Sequence, residues 1–320
     1  MNNEFMSPFA GRILAMLEFK EALGYSRSSY YKFLLNFDRY CRAHYPNESI
    51  LTQEIVAGWS MARVSETAAG VSRRLIAIRE FGKYLASTGD EAYIIPSGFI
   101  GGVKKFMPYI YTDAELTAFF KGADSLLPDK RSPLREFTAS ALFRLMYCCG
   151  LRPSEIRLIK RDEVDFKENL ILISESKSYK DRVVAVDSDV MALCGKYDHI
   201  ADCVFPDRTY FFQGPNNGPY AAIWIQHLFR KCWKSSGISF SRSQNPRVGD
   251  FRHNYATRTL MNWLDEGKAL DAYLPYLSAY MGHSDFSQTA YYIHLIPDKL
   301  IKNNGIKWDS MNAIIPEVDD

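Results

Sequence analysis

Residues 95–111 read IPSGFIGGVKKFMPYIY, and this stretch decides how the chain is divided. Pro96, Gly98, Gly101, Gly102 and Pro108 interrupt every helical or strand period that approaches them from either side. Proline lacks a backbone donor and glycine loosens the backbone, so such a stretch joins two ordered regions rather than belonging to one. The division that follows is a lobe over 1–100, a linker over 101–111 and a larger lobe over 112–320 whose tail begins at about 297. A length of 320 residues suits two domains, at roughly 150 residues each.

Upstream of the linker the period is helical throughout. Residues 7–23 place Ile13, Leu14, Leu17 and Phe19 at helical spacing, and Gly24 is a plausible stop. Ser26 caps a second helix through about His44, with Tyr30, Phe33, Leu34, Phe37 and Tyr40 apolar. Thr52 opens a third through about Arg63. A fourth, near Glu66 to Ala86, turns Leu75, Ile76, Ile78, Phe81, Tyr84 and Leu85 inward. Its other face offers Ser72, Arg73, Arg74, Arg79 and Lys83. A charged helix face is commonly just solvated, but beside a second lobe Ser72, Arg73 and Arg74 read as phosphate contacts. Lys104 and Lys105 in the linker read the same way.

Downstream, Thr112-Asp-Ala-Glu115 is a capping box. An apolar helix from Ser132 ends at Gly150, and Pro153 starts another. Residues 170–174 and 182–186 are β-rich runs around a polar turn that carries Lys177 and Lys180, which makes a hairpin. Residues 205–220 form a loop. Helices follow over Ala222–Ser235 and Asp250–Trp263, Leu274–Met281 leads into a Gly-His segment, and the tail has one weakly helical segment around Trp308–Ile314. The fold class expected is mainly α with a small antiparallel β-sheet (α+β).

Composition excludes several classes. Hydrophobic content of 47% and charged content of 24% are those of a globular protein with a sizeable core. The net charge of +2 means that any basic surface is local. The six cysteines include no CxxC pair and no zinc-ligand spacing with histidine, so no metal site is expected. Adjacent Cys148 and Cys149 read as small core residues. Residues 1–30 lack the order of a signal peptide, and no apolar run reaches the ~20 residues of a membrane span. The expectation is a cytoplasmic, reduced, soluble protein.

The groups that carry chemistry are dispersed. Met146-Tyr-Cys-Cys-Gly-Leu-Arg-Pro-Ser-Glu155 holds Arg152 and Glu155; Asp250-Phe-Arg-His-Asn-Tyr-Ala256 holds Arg252 and His253; Met281-Gly-His-Ser runs on to Tyr291 and Tyr292. Singly, each has an ordinary structural explanation: an ion-paired arginine, a solvated lysine, a core histidine or tyrosine. Jointly they suit phosphoryl transfer. Two guanidiniums grip the non-bridging oxygens and offset charge building on phosphorus. A lysine protonates the leaving 5′ oxygen, a histidine hydrogen-bonds the phosphate, and a phenol attacks and holds the phosphoryl group.

In these three segments the chain resembles the tyrosine recombinase (phage integrase) family, over residues from about 110 to 297. Thr289 and His294 also fit the family's pattern, while the N-terminal helices resemble its core-DNA-binding (SAM-like) domain less specifically. The resemblance implies a C-shaped clamp on DNA. It implies catalytic roles for Arg152, Lys177, Arg252, His283 and Tyr292, with Lys180 and Tyr291 as fallbacks and Glu155 and His253 in support. It implies a site-specific recombinase or integrase working through a 3′-phosphotyrosyl intermediate, in integration or excision of a mobile element. Double-stranded DNA sites, a tetramer on DNA and room for accessory proteins come with it, as does chemistry needing no metal, nucleotide or redox cofactor. One departure is Gly249, where the family commonly has a histidine. It leaves open a DNA-binding relative that no longer cuts, and a type IB topoisomerase-like relaxing enzyme, which shares the active-site logic, is a further alternative.

Overall fold

Threonine opens three of the helices. The hydroxyls of Thr52, Thr67 and Thr112 accept the amides of Ile55, Gly70 and Glu115, giving partners to donors that a first helical turn leaves unpaired. The computed structural model describes residues 4–61, 63, 66–99, 107–174, 181–239, 245–283 and 285–295. It falls into two units, Met1–Phe106 and Met107–Asp320. Lys104 and Lys105, the turn with Lys177 and Lys180, and the tail segment Trp308–Ile314 lie outside the described residues.

The first unit consists of α1 (Ala10–Ala22), α2 (Ser28–His44), α3 (Gln53–Ser60) and α4 (Ala68–Ser87). Their apolar stripes meet in a core centred on Phe37, which lies edge-on to Trp59 at 5.4 Å and packs on Phe9 and Phe81. Buried Asp38 accepts the amides of Met6 and Ser7 and so ties the chain's start to α2.

One sequence expectation fails here. Arg74 is not on the basic face of α4 but buried, because it shares the stripe of Ile78, Phe81 and Leu85 at helical spacing. Its guanidinium donates to Glu66 at 2.8 and 2.9 Å and to the carbonyls of Trp59 and Met61. A buried charge needs such partners, and all three guanidinium nitrogens of Arg74 are engaged inside the unit rather than turned outward to DNA. Arg73 is exposed and Ser72 half-buried, whereas Ile76, expected inside, is exposed.

The second unit is built round α6 (Arg135–Cys149), which buries side chains on nearly every side. Packed on it are α5 (Asp113–Asp124), α8 (Ser188–Val204), α9 (Ala222–Ser235) and α10 (Asp250–Asp265). Short α7 (Pro153–Ile156) follows α6 directly, and α11 (Leu270–Met281), α12 (Ser287–Ala290) and a single 3-10 turn over Ile293–Leu295 end the described chain. Helix α8 stands where the sequence reading places no element, although Met191, Cys194, Tyr197, Asp198 and Ala201 bury at helical spacing. Cys149 is buried and Cys148, one residue round the helix, is exposed.

Three short strands, β1 (Val164–Asp165), β2 (Leu170–Ile173) and β3 (Arg182–Ala185), pair antiparallel in that order. Ile171 faces Val184 and Ile173 faces Arg182 across the hairpin. Arg182 therefore shares the buried face of Val184. No helix among the described residues is long and apolar enough to cross a membrane.

Candidate active site

Three chain turns bring the site together, and glycine makes two of them possible. Helix α6 ends at Gly150 with φ +62°, and a Cβ there would lie 2.5 Å from the Tyr255 ring. Arg152 then takes an extended conformation, as a residue preceding proline does, before Pro153 starts α7. Helix α11 ends at Gly282, also at φ +62°, with the amides of Gly282 and His283 returning to the carbonyls of Ala279 and Ser278. This glycine-capped helix end places His283 at the start of the segment that leads to Tyr292.

Helix α10 is aimed by its second residue. Phe251 is fully buried among Phe119, Phe143, Phe229 and Tyr111. Asn254 fixes the same turn, accepting the Tyr111 amide and donating to the Tyr109 carbonyl. With that turn pinned, Arg252 points towards both glycine turns. Its Nη1 donates to the Gly150 carbonyl at 2.8 Å and its Nη2 to the Met281 carbonyl at 2.5 Å. Burial, helped by the nearby Arg152 charge, lowers its pKa to about 10, so it stays cationic at neutral pH.

Glu155 holds the arginines together. Its Oε1 accepts Arg152 Nη1 at 2.6 Å and Arg182 Nη1 at 3.1 Å. Its Oε2 accepts the Arg152 amide and Arg182 Nη2, both at 2.9 Å, with Arg252 Nη1 at 3.9 Å. Burial pushes this carboxyl up, but the Arg182 hydrogen bonds, the Arg152 amide and the charges of Arg182 and Arg252 outweigh it and hold it below the usual range. The other Arg152 Nη donates to the Gly282 carbonyl at 3.1 Å, and its side chain keeps 22% exposure against 8% for Arg252. Arg152 is the more open of the two.

Three rings complete the cluster. The Tyr292 ring lies 6.2 Å from His283, nearly parallel, and 5.6 Å from His253. His283 Nδ1 hydrogen-bonds the hydroxyl of fully buried Thr289 at 2.7 Å. Burial and the charges of Arg252, Arg152 and Arg182 drive the His283 pKa down to about 3. Burial and the charges of Arg252 and Arg247 drive that of His253 to about 4. Both imidazoles are neutral at pH 7. Burial raises the Tyr292 phenol, opposed by Arg252 and Arg152. Tyr292 is 3% exposed, and Tyr291, its ring 5.9 Å away, is half-buried.

The structure thus gathers Arg152, Glu155, Arg252, His253, His283 and Tyr292 around one centre. Ser72 and Arg73 belong to the first unit. Sequence reasoning missed Arg182. The available signal was strand alternation: Arg182 stands two residues before buried Val184, and a charge on a strand's buried face requires a partner.

Kinship decides the family. The phage integrase family model matches residues 123–298, more than half of the chain. The chain belongs to that family. It is a tyrosine-type site-specific DNA recombinase. The integrase/recombinase y4rB of Sinorhizobium fredii is 26% identical over 92% of this chain and 95% of its own length. A second protein of that organism, integrase/recombinase y4rE, is 30% identical over 58% of this chain, and the match spans only 59% of that relative. Among solved structures, the XerH site-specific recombinase bound to a palindromic difH substrate shares the fold, at a TM-score of 0.64 and 17% identity. That match covers 86% of this chain and 78% of that one. In this recombinase Arg252 is anchored on both glycine turns, and Arg152 on the one that also positions His283.

Proposed function

We propose that this recombinase cuts and rejoins DNA through a 3′-phosphotyrosyl bond to Tyr292. The Tyr292 oxygen attacks the scissile phosphorus, the bond from phosphorus to the 5′ oxygen breaks, and that oxygen leaves as a hydroxyl. Arg152 and Arg252 neutralise the charge on the non-bridging oxygens, and His283, neutral and oriented by Thr289, donates to one of them. Lys177 supplies the leaving-group proton, with Lys180 as its fallback. Energy conserved in the ester drives religation, so no cofactor enters the scheme.

The observation that carries this reading is the anchoring of both guanidiniums on carbonyls of residues 150, 281 and 282, beside the Tyr292 ring. Because Tyr292 is almost fully covered, the segment bearing it shifts when a phosphate enters. DNA duplex sites are the substrate, with Arg73 and Ser72 adding phosphate contacts from the first unit. A tetramer exchanges strands in pairs through a Holliday junction, in the integration or excision of a mobile element, in keeping with the relatives' designation as integrase/recombinase.

The test is a duplex nicked close to the crossover point, from which the cleaved fragment diffuses away. A covalent protein–DNA adduct is expected to accumulate. Binding without any adduct would favour a relative that has lost cleavage.

Gly249 bears on that alternative. It is the residue before α10, with φ −67°, and an added Cβ would meet nothing within 4 Å. His253, whose ring contacts Tyr292, accepts the phenolic proton in the absence of an imidazole at position 249. Gly249→His is therefore expected to fold normally and to cleave at the same rate or up to about tenfold faster, since a second base adds little to one already present. Initial rates of adduct formation check this, and loss of cleavage would show that position 249 requires glycine.

A further inference from the structure

Arg182 has no role in the chemistry above, yet it is among the most fully engaged groups at the site. Its Nε donates to the Tyr280 carbonyl at 2.8 Å, and its two Nη atoms take one Glu155 oxygen each. The side chain is 9% exposed and that of Glu155 3%. A Cβ on Gly282 would come within 3.0 Å of Arg182 Nη1, so the glycine turn and the guanidinium are fitted to each other. All three guanidinium nitrogens are committed inside the protein.

Glu155 is shared with Arg152. Glu155 takes Arg152 Nη1 and its amide, and Gly282 takes its other Nη. One side chain at the start of β3 therefore holds Glu155 directly and reaches the Gly282 turn through the Tyr280 carbonyl, the two supports of the more open phosphate-facing arginine. It also ties the strand after the hairpin turn to the end of α11, whose last carbonyls anchor Arg252 and Arg152. A two-pronged arginine–carboxylate contact fixes direction as well as distance, and a lysine at the same place cannot reach Tyr280 and both Glu155 oxygens at once.

We propose that Arg182 is a positioning residue for strand cleavage, holding Glu155 and the Tyr280–Gly282 turn so that Arg152 meets the scissile phosphate. This rests on the reading of Arg152 as a phosphate clamp. It assigns Arg182 no contact with DNA.

The test compares two scissile groups in the nicked duplex, an ordinary phosphodiester and a methylphosphonate. The second carries no negative charge at phosphorus and so depends less on arginine. Strand cleavage and DNA binding are measured for the full chain as the unaltered protein, Arg182→Ala and Arg182→Lys. On the phosphodiester, Arg182→Ala is expected to cleave on the order of 10²-fold more slowly, the cost of a misplacement near 1 Å, with DNA affinity within about twofold. On the methylphosphonate the loss shrinks to less than about tenfold, because the misplaced charge matters less there. Arg152→Ala should show the same dependence on substrate, and Arg182→Lys a smaller loss of the same kind. Circular dichroism establishes folding, and the lysine variant carries the comparison if the alanine variant is unfolded. Equal losses on both substrates in a folded variant, or no loss on the phosphodiester, would overturn the proposal and leave the phosphotyrosyl reading standing. Absence of cleavage by the unaltered protein on either substrate would overturn both.

Discussion

Tyr292→Phe is expected to abolish the covalent DNA adduct while leaving DNA binding unchanged. The substitution removes one oxygen and keeps the ring, which sits against His253 and His283 in a small core with Leu260, Met281 and Ile293. Removing a buried hydroxyl that faces cations leaves shape and packing as they were, so stability should move by less than about 1 kcal/mol. Chemistry has no such tolerance, because the oxygen lost is the atom that bonds to phosphorus. Adduct formation on the nicked duplex should fall below detection, whereas Tyr291→Phe should retain it. An adduct that persists in Tyr292→Phe contradicts the assignment.

The second large effect separates the two arginines. Arg152→Ala and Arg252→Ala should each slow cleavage on the order of 10³-fold, since each removes a preorganised charge aimed at the phosphate. Their effects on stability should differ. Arg252 is the deeper of the two, and its loss strands the Gly150 and Met281 carbonyls away from water. That costs about 2–3 kcal/mol. Arg152 is more exposed, and Glu155 keeps Arg182 when it is removed. Thermal unfolding beside cleavage rates checks the contrast. Equal melting temperatures for the two variants would mean that Arg252 does not brace the two turns.

Much of this was legible in the sequence because it depends on local rules. The Thr112–Glu115 capping box, the end of α6 at Gly150 and the start of α7 at Pro153 are each specified within a few residues. The three motif segments likewise gave Arg152, Arg252, His283 and Tyr292, which the fold brings together. What was not legible depends on neighbours distant in sequence. Arg74 looked like a member of a basic face, but its stripe also holds Ile78 and Phe81, and Glu66 with two carbonyls accommodates its charge. For Arg182 strand alternation signals only that a partner is needed, not which one, because Glu155 and Tyr280 lie 27 and 98 positions away. The depth of Tyr292 and the backbone carbonyls that seat the arginines have no sequence signature. A carbonyl belongs to every residue, and only tertiary packing decides which ones face the site.

The most direct measurement is to trap the adduct on the nicked duplex, digest protein and DNA, and locate the nucleotide-bearing residue by mass spectrometry. The account predicts a phosphorylated nucleotide remnant on Tyr292 and on no other residue. A remnant on Tyr291 or elsewhere, or no remnant after cleavage, would contradict it.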